Sequence, residues 1–418
     1  MKLLINLCAH DGIISHYAGV GTIVKRYIEA FQYILNTKGI NYDFYLYTPE
    51  YNKDSFGYSE ATYKMHDNLK IFQVSNGTRG KLAYGTPDNW KILSYNTASI
   101  INEINIDEYD IVITIANDTP YADMLRMLNK NKKHIKIWIP HSTGKIHLVD
   151  SSIKNSEEIL NDRLKWEENA VDYINNHENC YLGVTGRYIG QHLVDEYNLN
   201  EEKQVDIING EILSHSTEYF EDDLTIELFN KIKNYDEIIL SFGRAEKYKN
   251  LDATMEIGKR IGIQSVVLAQ GYYKGQPLVE ELKDKALESN AIIFVDAPFY
   301  LAQYIVKNFN KNMILLIPSK KEIVGLIINE IRKLNKDNVL IVANDIGGMH
   351  EQINDGIDGV LVDLNDLDDA SEKIKMYFNN KKIKKMNEMS QKRLQEEYDF
   401  EKICEKFIFK FLRESKLL

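Results

Sequence analysis

The chain has 418 residues, which is more than one compact core usually holds, so two domains are the default expectation. Acidic residues outnumber basic ones by 62 to 51, and the net charge of -11 excludes a broad cationic surface for nucleic acid. The 3 cysteines follow no motif spacing, which indicates neither a disulfide framework nor a structural zinc site and favours a reducing, cytoplasmic location. No uninterrupted apolar run approaches about 20 residues, so the sequence predicts no membrane-spanning helix.

The first half alternates short apolar runs with helical patterns, which is typical of a parallel sheet with helices on both faces. The apolar run at the N-terminus is too short for a secretory signal and predicts the first strand. A glycine turn over residues 18–22 separates this strand from the first helix. The predicted strands of this half cover residues 2–8, 42–47, 110–115, 135–139 and 180–184, and the predicted helices cover 23–35, 120–128 and 157–175.

The second half repeats this alternation and predicts another parallel α/β domain. We place the boundary between residues 206 and 207, where a strand ends in the turn dipeptide Asn209-Gly210 and a polar, acidic stretch follows. The tail beyond residue 366 has a charged helical pattern, and its phenylalanines need a covering surface. The predicted strands of this half cover residues 237–242, 265–269, 291–295, 313–317 and 339–343, with helices between them.

A pair of cations follows the first strand of the second half, at the strand end where open α/β sheets bind ligands. Gly243-Arg244 stands there, with Lys249 five residues beyond the arginine. A forked guanidinium beside a mobile ammonium is a suitable counter-charge for a leaving diphosphate. A solvated basic loop is the alternative interpretation.

Two glutamates with seven residues between them, Glu322 and Glu330, follow a later strand. Carboxylates accept paired hydrogen bonds from vicinal hydroxyls, so one can hold a ribose and the other a hexose. Gly325 opens a helix between them, whose free amides can approach a phosphate. Two solvent-facing glutamates are the alternative. A third motif, Gly347-Gly348, allows close backbone approach, although turn chemistry explains it equally well.

In this order the three motifs resemble the donor-binding domain of glycosyltransferase family 4, a family of retaining enzymes with the GT-B fold. The resemblance covers residues 209–362. Two positions depart from the family pattern: Asn250 replaces a frequent glycine, and Ile323-Val324 replaces an aromatic residue before the glycine. The matched positions are Gly243-Arg244, Lys249, Pro318-Ser319, Glu322, Gly325, Glu330, Gly347-Gly348, Asp355-Gly356 and Gly359.

The resemblance implies a GT-B fold, with two Rossmann-like domains facing each other across a cleft. It implies an N-terminal acceptor-binding domain (1–206), a C-terminal nucleotide-sugar-binding domain (207–395) and a C-terminal helix (396–418) that returns to the first domain. It also implies a role for each matched residue of the donor site. These are Arg244 and Lys249 on the diphosphate with Gly243 beside them, Glu322 on the transferred hexose, Glu330 on the ribose, and the amides of Gly325 and Leu326 on the phosphates.

The first half matches the family more loosely. Gly19-Val20-Gly21 matches the glycine loop that faces the donor in this family, and Val24 excludes a dinucleotide fingerprint because a small residue is needed there. His141, just after a predicted strand, matches a histidine that the family often places near the transferred sugar; a capping or core histidine is an equal alternative. His16 is a weaker candidate, and His10 is expected to end the first strand.

The resemblance implies front-face transfer with retention, in which the leaving phosphate acts as the base and neither a metal nor a cofactor beyond the donor takes part. The sequence agrees, because no Asp-x-Asp directly ends a core strand to hold a divalent cation; Asp366-Leu367-Asp368 and Asp222-Asp223 are expected on the surface. Family frequency favours a UDP-linked hexose donor.

The acceptor is expected to be chosen by loops of the first domain, over residues 48–89 and 142–156. The family prior is a surface polysaccharide or glycoconjugate, with a carbohydrate, a lipid-linked precursor or a small molecule as acceptor. The acidic balance allows at most peripheral membrane contact, for which residues 130–136 are a local basic patch. Two alternatives stay open: a GT-B-shaped epimerase or phosphorylase, and a non-catalytic nucleotide-sugar-binding partner subunit.

Overall fold

The computed structural model describes residues 1–11, 19–52, 69–147, 155–214, 222–271, 276–298, 300–334 and 337–414. The chain divides into two compact units, one of Met1–Ile212 together with Phe400–Leu418, and the other of Leu213–Asp399. None of the described helices is both long and apolar enough to cross a bilayer. Cys8, Cys180 and Cys404 are all buried free thiols.

The first unit is built on a seven-stranded parallel sheet with the strand order β3-β2-β1-β4-β5-β6-β7. The order places β1 inside the sheet, between β2 and β4, and from its second residue onward every residue of this Leu- and Ile-rich strand is buried, as expected for a parallel strand covered on both faces. The strands are β1 (Lys2–Cys8), β2 (Asn41–Pro49), β3 (Leu69–Val74), β4 (Ile111–Asn117), β5 (His134–Ile139), β6 (Cys180–Val184) and β7 (Gln204–Asp206). The helices are α1 (Gly19–Thr37), α2 (Pro87–Asn102), α3 (Ser156–Asn175) and α4 (Arg187–Tyr197), with 3-10 segments at Ile106–Glu108, Thr119–Met127 and Glu201–Lys203.

The second unit is built on a six-stranded parallel sheet with the order β10-β9-β8-β11-β12-β13. Alternate residues of its central strands enter cores on opposite faces: Leu240 and Leu315 on one side, Ile239 and Ile314 on the other. The strands are β8 (Ile238–Arg244), β9 (Gln264–Gln270), β10 (Ile292–Val295), β11 (Met313–Ile317), β12 (Val339–Asn344) and β13 (Val360–Val362). The helices are α5 (Asp223–Asn230), α6 (Asp252–Ile261), α7 (Pro277–Ser289), α8 (Leu301–Asn308), α9 (Leu326–Leu334), α10 (Met349–Gln352), α11 (Leu367–Tyr377) and α12 (Asn380–Glu397), with a 3-10 turn at Lys247–Lys249.

The last helix, α13 (Phe400–Glu414), belongs to the first unit and packs on α1. The ring of Phe407 stacks on that of Phe31 with centroids 6.2 Å apart, and Phe400 packs on Tyr27 at 5.3 Å. Of the tail phenylalanines that the sequence left without a covering surface, Phe407 and Phe411 are buried and Phe409 is half-buried. The predicted return of the C-terminal helix to the first domain is confirmed, as are the two Rossmann-like sheets.

The division between the units falls after Ile212, a few residues beyond the predicted boundary at 206. The intervening segment stays with the first sheet, because Ile207 N donates to Val184 O and Asn209 N donates to Thr185 O, both at 3.0 Å. Glu211 adds a buried ion pair to Arg26 of α1 at 2.6 Å. The turn dipeptide therefore marks the end of β7 and not the end of the unit.

Several local predictions differ from the structure. Gly19 and Gly21 do not form a turn before the first helix but lie in the first turn of α1. The segment Thr119–Met127, predicted as an α-helix, is a 3-10 helix that follows a residue with positive φ, Asp118 at 65°. Strands β3 and β13 were not predicted, because β3 has no clean burial alternation and β13 has only 3 residues.

Candidate functional site

The candidate site lies at the carboxyl edge of the second sheet, between its two central strands β8 and β11. Strand order reverses here, since the chain continues from β8 to β9 on one side and from β11 to β12 on the other. Such a switch point is where open α/β sheets bind ligands. Arg244 is the last residue of β8, and Glu322 lies in the loop after β11. Two of the predicted motifs therefore flank one switch point.

Lys249 and Glu322 meet at this edge in a direct ion pair between Nζ and Oε1. Both side chains are partly buried, with 22% and 17% of their surface exposed. Lys249 ends a 3-10 turn, and the next residue, Asn250, has the left-handed φ of 52°. Asparagine adopts this conformation more readily than most residues, so it can replace the glycine that is frequent here in the family.

The loop that carries Glu322 is fixed by neighbours on both sides. Ser319 Oγ donates to Glu322 Oε1 at 2.9 Å, and Gly348 N donates to Glu322 O at 3.1 Å. A β-carbon on Gly348 would lie only 1.7 Å from Ile323 O, so this position accepts glycine alone. Ile323, which stands where the family has an aromatic residue, is 5% exposed and fills the core below the loop. The double glycine therefore supports the Glu322 loop.

Arg244 is held by two residues of the turn that follows it. Its Nη2 donates to the Tyr248 hydroxyl at 2.5 Å, and its Nη1 lies 3.2 Å from Glu246 Oε1. Burial raises the pKa of Tyr248, and a hydrogen bond to the Glu246 carboxylate raises it further against the opposing effect of Arg244. Sequence analysis missed Tyr248 and Glu246, since neither belongs to the family pattern.

Glu330 lies on α9, the helix that begins directly after Gly325. The Nε2 of Gln303 on α8 donates to its carboxylate at 3.5 Å. A β-carbon on Gly325 would lie 2.8 Å from Met349 Cε, so the end of the Met349 side chain on α10 would have to shift to make room for it. A β-carbon on Gly243 would be in ordinary contact with the Lys249 stem at 3.7 Å. The helix α9 begins at Leu326, one residue after the Gly325 that was predicted to open it.

The switch point of the first sheet, between β1 and β4, also carries polar side chains. His10 follows β1, with its Nδ1 3.7 Å from Asp118 Oδ2 and its ring 5.1 Å from that of Tyr84. His141 follows β5, and its Nε2 lies 3.3 Å from Asn117 Oδ1. Burial lowers the pKa of His141 to about 4, although nearby Asp118 opposes this shift. His10, expected only to end a strand, thus forms part of a polar cluster, whereas His16 lies outside the described residues.

A buried carboxylate on α3 fixes the loop that follows His141. Glu167 accepts hydrogen bonds from Gly144 N at 2.9 Å, Tyr197 Oη at 2.6 Å and Arg163 Nε at 2.8 Å. Arg163 in turn donates to Ser142 Oγ at 3.0 Å. Because every one of these groups is buried or half-buried, the network holds the strand end in one geometry.

Residues 225–395 match the family described as "Glycosyl transferases group 1". The second unit is a group 1 glycosyl transferase domain. The match runs from Thr225 in α5 to Gln395 near the end of α12, so it includes β8, β11 and the residues that flank the switch point. A search among curated proteins found no sequence relative.

Several solved structures are similar to the chain over nearly its whole length. Sucrose-phosphate synthase from Thermosynechococcus elongatus superposes with a TM-score of 0.75 at 14% identity, over 99% of both chains. A glycosyltransferase from Rickettsia africae gives 0.67 at 17% identity, over 99% of this chain and 98% of that one. The HepE protein of Anabaena in complex with UDP-glucose gives 0.66 at 12% identity, over 98% and 99%. The chain therefore has the GT-B fold.

Proposed function

We propose that the chain transfers a hexose-type sugar from a nucleotide-sugar donor to an acceptor hydroxyl, with retention of anomeric configuration. The observation that carries the proposal is the meeting of Lys249 with Glu322, beside Arg244, at the switch point of the group 1 domain. Arg244 and Lys249 follow one strand and can bind a diphosphate, whereas Glu322 follows the neighbouring strand and can bind the sugar attached to it. Only a ligand that is anionic at one end and hydroxylated at the other uses both.

The diphosphate is assigned to the two cations. Arg244 and Lys249 leave the same strand end, and both are partly exposed, so a ligand at the sheet edge can reach them. The amides of Gly325 and Leu326, at the start of α9, add the partial positive charge of a helix N-terminus. Gly243 lies next to Arg244, where a β-carbon would contact the Lys249 stem.

The two sugars of the donor are assigned to the two glutamates. Glu322 lies against Lys249, so a hexose held by its carboxylate would be next to the diphosphate. Glu330 lies further along α9 and would hold the ribose diol. The UDP-glucose complex of the structurally similar HepE supports a uridine nucleotide as the base.

The chemistry proposed is front-face displacement, with charge developing on the leaving diphosphate. Two fixed cations near that charge lower the barrier, and one well-placed donor typically contributes about 3 kcal/mol. A departing phosphate oxygen takes the proton of the acceptor hydroxyl, so the reaction balances without an enzymic base. Arg244 and Lys249 supply the positive charge that a divalent metal supplies in other transferases, so we propose that no metal is needed.

The acceptor is assigned to the first unit. His141 and the first turn of α1, at Gly19 and Gly21, lie at the carboxyl edge of its sheet, and the family resemblance implies that the histidine is near the transferred sugar and that the glycines face the donor. A neutral imidazole, which the lowered pKa of His141 ensures at neutral pH, both donates and accepts hydrogen bonds to hydroxyls. We propose a role in surface polysaccharide or glycoconjugate synthesis in the cytoplasm, where the three buried thiols would stay reduced.

A donor panel tests the proposal. The full chain is mixed with nucleotide sugars of different bases and hexoses, and thermal unfolding identifies the ligand that stabilises it. With that donor we expect slow release of the nucleoside diphosphate, unchanged by EDTA, and a released sugar that first appears with the anomeric configuration of the donor. Glu322→Gln should abolish release, whereas Glu256→Gln, an exposed ion-paired glutamate of the same domain, should not. If the donor were epimerised without release of the diphosphate, the chain would be an epimerase. If the donor bound without any turnover, the chain would be a non-catalytic nucleotide-sugar sensor.

A further inference from the structure

Both cations of the donor site are already paired with carboxylates in the structure. Lys249 contacts Glu322, and Arg244 contacts Glu246 at 3.2 Å. The two carboxylates differ in one respect: in the proposed function Glu322 binds the hexose of the donor, whereas Glu246 binds no part of it. A diphosphate that approaches Arg244 must come close to the charge of Glu246.

Glu246 cannot move far from Arg244, because the turn holds its backbone. Its amide N donates to Arg244 O at 2.8 Å, and its O accepts from Lys249 N at 2.9 Å. Its carboxylate is 20% exposed and also takes part in a hydrogen bond with Tyr248. A charge fixed in this way, and only partly screened by solvent, acts on a neighbouring anion over several ångströms.

Tyr248 also positions the arginine, through a hydrogen bond of its own. Its hydroxyl accepts from Arg244 at 2.5 Å, its carbonyl accepts from Lys320 N at 2.7 Å, and its ring lies 5.2 Å from Lys249 Nζ. The residue thus connects the strand ends of β8 and β11. Glu246 and Tyr248 hold the same guanidinium, one through charge and the other through a neutral hydrogen bond.

We propose that Glu246 competes with the donor diphosphate for Arg244. It neutralises Arg244 when the site is empty and lowers the affinity of the site for the nucleoside diphosphate product. The inference rests on the proposed function, in which Arg244 binds the diphosphate. Its consequence is that the site binds anions less tightly than its two cations would allow. Tyr248 is the positioning residue that keeps Arg244 directed at the sheet edge.

The test compares binding of UDP, ADP and GDP, and of the corresponding nucleosides, to the full chain by calorimetry. Glu246→Gln keeps the size and the hydrogen-bonding capacity of the side chain but removes its charge. We expect it to bind the preferred diphosphate about three- to tenfold more tightly than wild type, with nucleoside affinity unchanged. Product inhibition in the transfer assay should strengthen by the same factor. Tyr248→Phe, which keeps the charge and loses the hydroxyl, should bind the diphosphate more weakly.

Glu256→Gln is the matched control, because it removes the same charge from an arginine-paired glutamate elsewhere in the domain. It should leave diphosphate affinity at the wild-type value. Equal or weaker diphosphate binding by a Glu246→Gln protein with a wild-type unfolding temperature would overturn the inference and leave the proposed function intact. Failure of the wild type to bind any of the three diphosphates would overturn both.

Discussion

The ammonium of Lys249 contacts the carboxylate of Glu322, although 73 positions separate the two residues along the chain. The contact exists because parallel strands bring their carboxyl ends to the same edge of a sheet. Each residue is the nearest charged neighbour of the other, so the loss of either changes the charge of the whole edge.

Lys249→Met and Glu322→Gln should each lower the turnover number for sugar transfer about 100- to 1000-fold, the typical effect of removing one charged contact to a transition state. Steady-state kinetics with saturating donor measures the change. Lys247→Met is the control, since Lys247 is exposed on the same 3-10 turn and should retain activity. Wild-type turnover in either site variant would refute the assignment of the donor site.

Gly348→Ala should impair both folding stability and transfer, because its β-carbon would overlap Ile323 O. The backbone must shift, and the hydrogen bond from Gly348 N to the Glu322 loop is then lost. We expect a loss of about 1–3 kcal/mol in unfolding free energy, measured in urea, together with reduced donor affinity. Gly271→Ala, where the nearest atom would lie at 3.4 Å, should change stability by less than about 1 kcal/mol.

Asp358→Asn should destabilise the second unit strongly. The buried carboxylate pairs with Arg332 at 3.5 Å and with Arg393 at 3.1 Å, and Arg332 has no exposed surface. Removing one member of a buried ion network leaves the others uncompensated and typically costs about 3–5 kcal/mol. Urea unfolding measures this, with the exposed Asp368→Asn as control at about 0–1 kcal/mol. Equal effects of the two substitutions would contradict the assigned burial.

The stability of the first unit should fall in mild acid. Burial, helped by the charge of Lys136, lowers the pKa of His134 from 6.5 to about 3, so the folded chain keeps this ring neutral. The contribution of the neutral His134 ring to the free energy of unfolding is complete above pH 6.5. It is lost as the pH falls toward 3, because His134 of the unfolded chain takes up a proton at a higher pH than His134 of the folded chain.

At pH 5 this histidine accounts for about 2 kcal/mol of lost unfolding free energy. His134→Asn removes the titrating ring and should reduce the difference between urea unfolding at pH 7 and pH 5 by that amount. An unaltered pH dependence in the His134 variant would show that other groups cause the acid loss.

The sequence predicted the sheets well where strands are long, apolar and buried on both faces. Strands β1, β6 and β11 begin and end at the predicted residues. The edge strand β3 escaped prediction because an edge strand is only partly covered, and its burial does not alternate. The order of strands could be expected only from the family resemblance, since periodicity carries no information on which strands are neighbours.

The sequence predicted which residues of the candidate site follow the strands, but not which side chains contact one another there. Spacing after strands found Arg244, Lys249 and Glu322, and the fold brings these together at one edge. The pairing of Arg244 with Glu246 and Tyr248 depends on side-chain directions within one turn, and residue spacing alone does not predict these directions. The same holds for His10 beside Asp118, where the partner comes from a distant strand.

The return of α13 to α1 has a consequence for biosynthesis. The second unit is complete by Asp399. Tyr27 and Phe31 of the first unit are covered only after Phe400 and Phe407 have been synthesised. While the ribosome is still extending the last helix, an aromatic face of α1 lacks its partner. The later-made half is therefore expected to mature first, reversing the usual N-to-C order of cotranslational folding.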